Sequence, residues 1–133
     1  MTPWFTLRLY LASLLAFLLI DLTWLGWVAR GFYRQHLRHL LAKRTNWAAA
    51  IVFYLLFVLG LLVFAIVPGL AAGSLSKTLI WGALYGFFTY VTYDLTNMAT
   101  LKNWPLVLVL VDITWGVVLA TSVSSVGFWV GGL

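Results

Sequence analysis

The stretch FTLRLYLASLLAFLLIDLTWLGWVA, residues 5–29, carries one arginine, one aspartate and no other charge. A helix that crosses a bilayer needs about 20 mostly apolar residues, and this run exceeds that. It continues past Asp21 to Ala29 without a small-x-small cleavage site, too long for the core of a secretory signal, so it is read as a retained span. Three further windows share its character, at about 47–72, 78–100 and 106–130. Together the four predict an all-α, polytopic membrane four-helix bundle, a single transmembrane domain over residues 1–133.

Composition agrees. Of 133 residues, 64% are hydrophobic and 8% charged, with a mean hydropathy of +1.04; a soluble domain carries roughly 25% charged residues. The absence of cysteine excludes disulfides, thiolate catalysis and cysteine-ligated metals. The basic residues set an orientation. Arg30, Arg34, Arg38, Lys43, Arg44 and Lys102 fall in the first and third connections, against Arg8 and Lys77 on the other side. The excess of Lys and Arg in cytoplasmic loops then places both termini outside. This accounts for the positive net charge without a nucleic-acid partner.

The connection GFYRQHLRHLLAKRTN, residues 31–46, sets Tyr33, Leu37, Leu40 and Leu41 at helical spacing, with Arg34 and Arg38 on another face. This is the pattern of an interfacial amphipathic segment between helices one and two, serving as a topology determinant or as a contact for anionic lipid. His36 and His39 lack a third ligand nearby, so no metal site is expected. Pro68, late in an apolar run, is expected to end or bend its helix. Trp4, Trp81 and Trp129 sit near one predicted boundary and Trp27, Trp47 and Trp104 at the other, as in an aromatic belt. Trp24 and Trp115 do not fit the belt; each follows an aspartate by three residues and shares a helix face with it.

Asp21, Asp94 and Asp112 are the only acids, and each opens a D-[LI]-T triplet inside a span. Counted from the cytoplasmic ends they fall about six to eight residues deep, ~9–12 Å, although the helices run in opposite directions. A carboxylate in hydrocarbon costs ~2.5–3.5 kcal/mol on insertion scales, so all three should face the bundle interior. Stripes of small residues agree: Gly82, Gly86, Tyr90 and Asp94 step by four on span three, and Asp112, Gly116, Ala120 and Ser124 on span four. No Lys or Arg shares the layer. The available donors are Tyr90, Tyr93, Thr23, Thr96, Thr114, Asn97 and the indoles of Trp24 and Trp115. Two uses of such a layer stand side by side, interhelical hydrogen-bond glue and a functional cavity.

DLTWLG at 21–26, FYR at 32–34, ALYGFFTYVTYDLTN at 83–97 and NWPL at 103–106 running on to VDITWG at 111–116 resemble a family of small uncharacterised bacterial inner-membrane proteins, grouped as a domain of unknown function. The resemblance covers almost the whole chain. It implies a four-span protein of the bacterial inner membrane and brings no catalytic residue with it. The expected function is that of a small integral membrane binding or carrier protein. Asp21, Asp94, Asp112, Trp24, Trp115, Tyr90, Asn97 and Thr114 are expected to receive a proton, a cation or the polar head of an amphiphile, without a cofactor. A lipid-modifying enzyme using an aspartate pair as acid and base, and a structural subunit docking through Gly82 and Gly86, are the alternatives. The expected partners are the lipid bilayer and a small amphiphile or cation, with self-association left open.

Overall fold

The computed structural model describes residues 2–133, and among these residues every regular element is helical. Helix α1 (Pro3–Thr23) starts where Thr2 Oγ1 accepts from the Phe5 amide at 3.1 Å and proline occupies the first turn, where its missing N–H costs nothing. It runs into a π-helical turn, Trp24–Val28, closed by the Ala29 amide donating to the Trp24 carbonyl at 2.7 Å. The short helix α2 (Arg30–Leu37) follows. It is the amphipathic segment, shorter than its sequence pattern: Leu40 and Leu41 lie beyond its end and are exposed.

Helix α3 (Trp47–Leu61), capped by the Asn46 side chain, passes through a second π-helical turn, Leu62–Ile66, into α4 (Val67–Ala71). Pro68 is the reason. Its ring would press on the carbonyl four residues back, and it donates no hydrogen bond; widening the preceding turn carries the rod through without a break. A turn with Gly73 at φ 61° ends this rod. The Gly73 amide bonds the Leu70 carbonyl and the Ser74 amide that of Gly69, a Schellman closure that needs a left-handed residue. Helices α5 (Leu75–Thr100) and α6 (Leu106–Gly131) are joined by a short link in which Asn103 takes φ 60°, a conformation asparagine tolerates better than most residues.

Four rods thus form the expected all-α bundle. Those spanning Pro3–Val28, Trp47–Ala71 and Leu106–Gly131 are long and apolar enough to cross a membrane. Helix α5 has the length, with 26 residues, but its three tyrosines and five threonines make it more polar than the others.

The bundle is apolar outside as well as inside. On α1 the buried face is Leu9, Ser13, Phe17 and Asp21, while Leu7, Leu11, Leu15, Leu19 and Leu22 are exposed. Polar groups inside and leucines outside are what a hydrocarbon solvent selects.

The closest packing is between α5 and α6. A Cβ on Gly82 would strike the Ser124 side chain, and one on Gly86 would strike the Gly116 carbonyl and Ala120; Tyr90 lies on Gly116. Both stripes are therefore consumed within the chain, in an antiparallel register that continues to Asp94 and Asp112. Phe17, Phe57, Leu61, Ile66, Leu119 and Val123 fill the rest of the core. Everything α3 buries lies in its second half, at Phe57, Val58 and Leu61. The first half stands away from the bundle, with Ile51, Val52, Phe53, Leu55 and Leu56 exposed.

Candidate functional site: an aspartate layer beneath an aromatic cavity

Where the first half of α3 diverges, a cavity of about 420 Å³ opens between it and α1, α2, α5 and α6. This lies within the ~300–1,000 Å³ of small-molecule pockets. Leu25, Phe53, Phe57 and Leu108 make up much of its wall, and Asp21, Asp112, Tyr33, Tyr90, Trp104 and Trp115 contribute polar atoms. Leu25, Phe53 and Tyr93 are exposed and form its rim.

The acids are buried, with Asp21 4% exposed, Asp94 0% and Asp112 9%. Their partners come from neighbouring helices. Trp115 on α6 donates its indole N–H to Asp21 Oδ1 on α1 at 3.1 Å. Trp24, stacked on Trp115 at 4.3 Å and 7° between planes, donates to the Tyr33 hydroxyl at 3.1 Å, and Tyr33 donates to Asp112 Oδ1 at 2.8 Å. The repeated Asp-x-x-Trp spacing thus works reciprocally. Each tryptophan serves the other helix's acid, one directly and one through α2. The π-helical turn after Thr23 leads the chain directly into α2, which carries Tyr33.

Asp94 is different. Its carboxyl faces that of Asp112 and the indole of Trp104, yet neither oxygen receives a hydrogen bond, and the Trp104 N–H is likewise unpartnered. A buried carboxylate with no donor is strongly disfavoured in its charged form. The titratable groups lining the cavity are Asp21 from α1, Tyr33 from α2, Tyr54 from α3, Tyr90 and Tyr93 from α5 and Asp112 from α6, with Asp94 behind them; no lysine, arginine or histidine lines it. Burial, reinforced by the charge of Asp112, raises the Tyr33 phenol above its ordinary pKa, so it acts as a donor rather than an anion. Among the described residues, no group of three His, Asp or Glu side chains stands close enough together to hold one metal ion.

Of the residues expected at this site, the three acids, Trp24, Trp115 and Tyr90 are brought together. Asn97 lies beside Tyr93 and is outside the cavity lining. Thr114 is turned away: exposed, it returns its hydroxyl to the Leu110 carbonyl of its own helix at 2.8 Å, and Thr23 does the same to Leu19. Residues two apart on a helix are separated by about 200°, so the threonine of each triplet faces opposite its aspartate. Tyr33 and Trp104 were not anticipated as members. Tyr33 had been placed only on the apolar face of the amphipathic segment, and Trp104 reads in the sequence as an ordinary belt residue.

Residues 6–129 match the family described as "Predicted membrane protein (DUF2177)". The chain belongs to this family. No curated protein and no solved structure matches it.

Proposed function

We propose that this DUF2177 family member is a small binding or carrier protein of the bacterial inner membrane, crossing it four times with both termini outside. Its aspartate layer takes up a proton, a cation or the polar head of an amphiphile. The observation that carries this reading is Asp94, fully buried and without a donor, behind the acidic floor of a largely apolar cavity. Facing carboxyls share one proton readily, because two adjacent charges in a medium of low polarity repel each other. On this reading the Asp94–Asp112 pair carries one proton between them.

Thermal unfolding of the purified protein, measured across pH and with added cations, tests the reading. Wild type should respond to both. Asp112→Asn should lose the cation response, and Asp94→Asn should lose most of the pH response below neutrality. If both variants respond as wild type does, the site binds neither species and the proposal fails.

The facing pair Asp94 and Asp112 also favours a second reading, general acid and base in an enzyme acting on lipid. Lipid analysis of a deletion strain separates the two, because an enzyme leaves its substrate accumulated. A subunit docking through Gly82 and Gly86 is disfavoured, because α6 already covers that stripe.

A further inference from the structure

We infer that the ligand is a single-chain amphiphile whose head is a protonated amine bearing N–H groups, a refinement that rests on the binding reading above. The floor of the cavity offers anions and no competing base. Asp21 and Asp112 both line it, and each is held on one oxygen by a fixed donor, Trp115 or Tyr33. The acids do not converge on a point where a metal ion would sit, and a spread of carboxylates suits an organic head with several donors better than a bare ion. Tyr90, Tyr93, Trp104 and Trp115 supply aromatic surface around the acids, attractive to a cation and indifferent or hostile to an anion.

The wall determines the rest of the ligand. Leu25, Phe53, Phe57 and Leu108 offer no hydrogen bonds to a polar body, and the rim at Leu25 and Phe53 is exposed on the side where α3 stands away. A tail entering from the surrounding lipid passes that rim and leaves its head on Asp112 and Asp21. An N–H-bearing head gives charge-assisted hydrogen bonds to these carboxylates, which a trimethylammonium head cannot. Asp94, sealed behind Asp112 and absent from the cavity lining, does not meet the ligand.

Binding is measured on the full-length protein in nanodiscs of zwitterionic phospholipid, with dodecylammonium, dodecyltrimethylammonium and dodecyl sulfate as chain-matched probes. Saturable thermal stabilisation is the readout, with empty nanodiscs correcting for partition. Dodecylammonium should bind at least about tenfold more tightly than either other probe, a difference of ~1.4 kcal/mol. Because the tail exchanges one hydrocarbon environment for another, affinity corrected for partition should change little with chain length, leaving the head group to set the preference. Asp112→Asn should abolish the head-group preference, while Thr114→Ala, whose hydroxyl bonds its own helix on an exposed face, should retain it within about threefold. The head-group and chain-length series in wild type needs no variant to fold.

Equal binding of all three probes overturns the amine assignment, as does stabilisation by simple cations that dodecylammonium does not displace. Neither result touches the underlying site as long as the Asp94 and Asp112 variants still change the pH and cation responses. Loss of those responses' dependence on both aspartates would remove the site itself.

Discussion

Tyr33 and Asp112, 79 residues apart in sequence, meet through a 2.8 Å hydrogen bond from phenol to carboxylate. It is the one bond that ties the amphipathic helix α2 to the acids of the bundle. A hydrogen bond to a charged group is worth about 1.5–3 kcal/mol in proteins generally, and interhelical bonds within membrane proteins average ~0.6 with a maximum near 1.7. Tyr33→Phe should therefore cost about 1–2 kcal/mol. A double-mutant cycle with Asp112→Ala, which removes the acceptor, should recover most of that as coupling, and hydrogen exchange should quicken in α2. Additive effects would show that the bond contributes nothing.

Tyr33 also predicts an alkaline limb. The unfolded chain ionises this phenol near pH ~10, whereas burial and the charge of Asp112 make the folded chain hold the proton beyond that value. The stability it contributes is thus complete below about pH 10 and is lost as pH rises above it. Unfolding of wild type should become easier on that limb more steeply than unfolding of Tyr33→Phe. Parallel curves would contradict the assignment.

The two stacked indoles should be visible spectroscopically. Trp24 and Trp115 lie 4.3 Å apart and nearly parallel, close enough for exciton coupling in circular dichroism. Trp24→Phe and Trp115→Phe should each remove the couplet. The stacking itself is worth about 0.5–1.5 kcal/mol. Each variant also loses an indole N–H bond, Trp24 to the Tyr33 hydroxyl and Trp115 to the Asp21 carboxyl, so Trp115→Phe should cost about 1 kcal/mol more, the difference between a charged and a neutral acceptor. Equal losses would mean that the indole bond to Asp21 is worth no more than the one to Tyr33.

Glycines divide by what surrounds them. Gly86→Ala should destabilise by about 1–3 kcal/mol, since the added carbon meets the Gly116 carbonyl and Ala120. Gly26 has nothing within 4 Å, so Gly26→Ala should be neutral or stabilising by up to ~1 kcal/mol. Unfolding midpoints of both variants check this pair.

Thr114→Ala should change stability by less than about 0.5 kcal/mol and leave every acid-dependent response intact, because its hydroxyl bonds its own helix on an exposed face. A loss of cation response in this variant would place it back among the acids.

That threonine shows how much of the site was legible. Helical periodicity put Asp21, Asp94 and Asp112 inside with Trp24 and Trp115 beside them, and the four-residue steps on α5 and α6 put their small residues on the same packed side as the acids. The same periodicity excludes the triplet threonine, once the two-residue offset is converted to an angle. Tyr33 was hidden because its position depends on how the chain turns between α1 and α2, and hydrophobic spacing does not encode a π-helical turn. Trp104 was hidden because a left-handed Asn103 turns the link toward Asp94, while at a span boundary any tryptophan looks like a belt residue. The cavity was beyond reach for another reason. WAAAIVFYLLFVLGL in α3 is apolar on every side, so its pattern does not say which half would leave the bundle.

The polar make-up of α5 bears on how the protein is built. With Asp94 and eight tyrosine and threonine side chains, this helix is a poor substrate for unaided partitioning at the translocon. Its complement, α6, leaves the ribosome immediately afterwards across the short Leu101–Pro105 link. On the four-span reading proposed above, the two should be integrated as a hairpin, and a chain truncated after Thr100 should leave α5 poorly inserted.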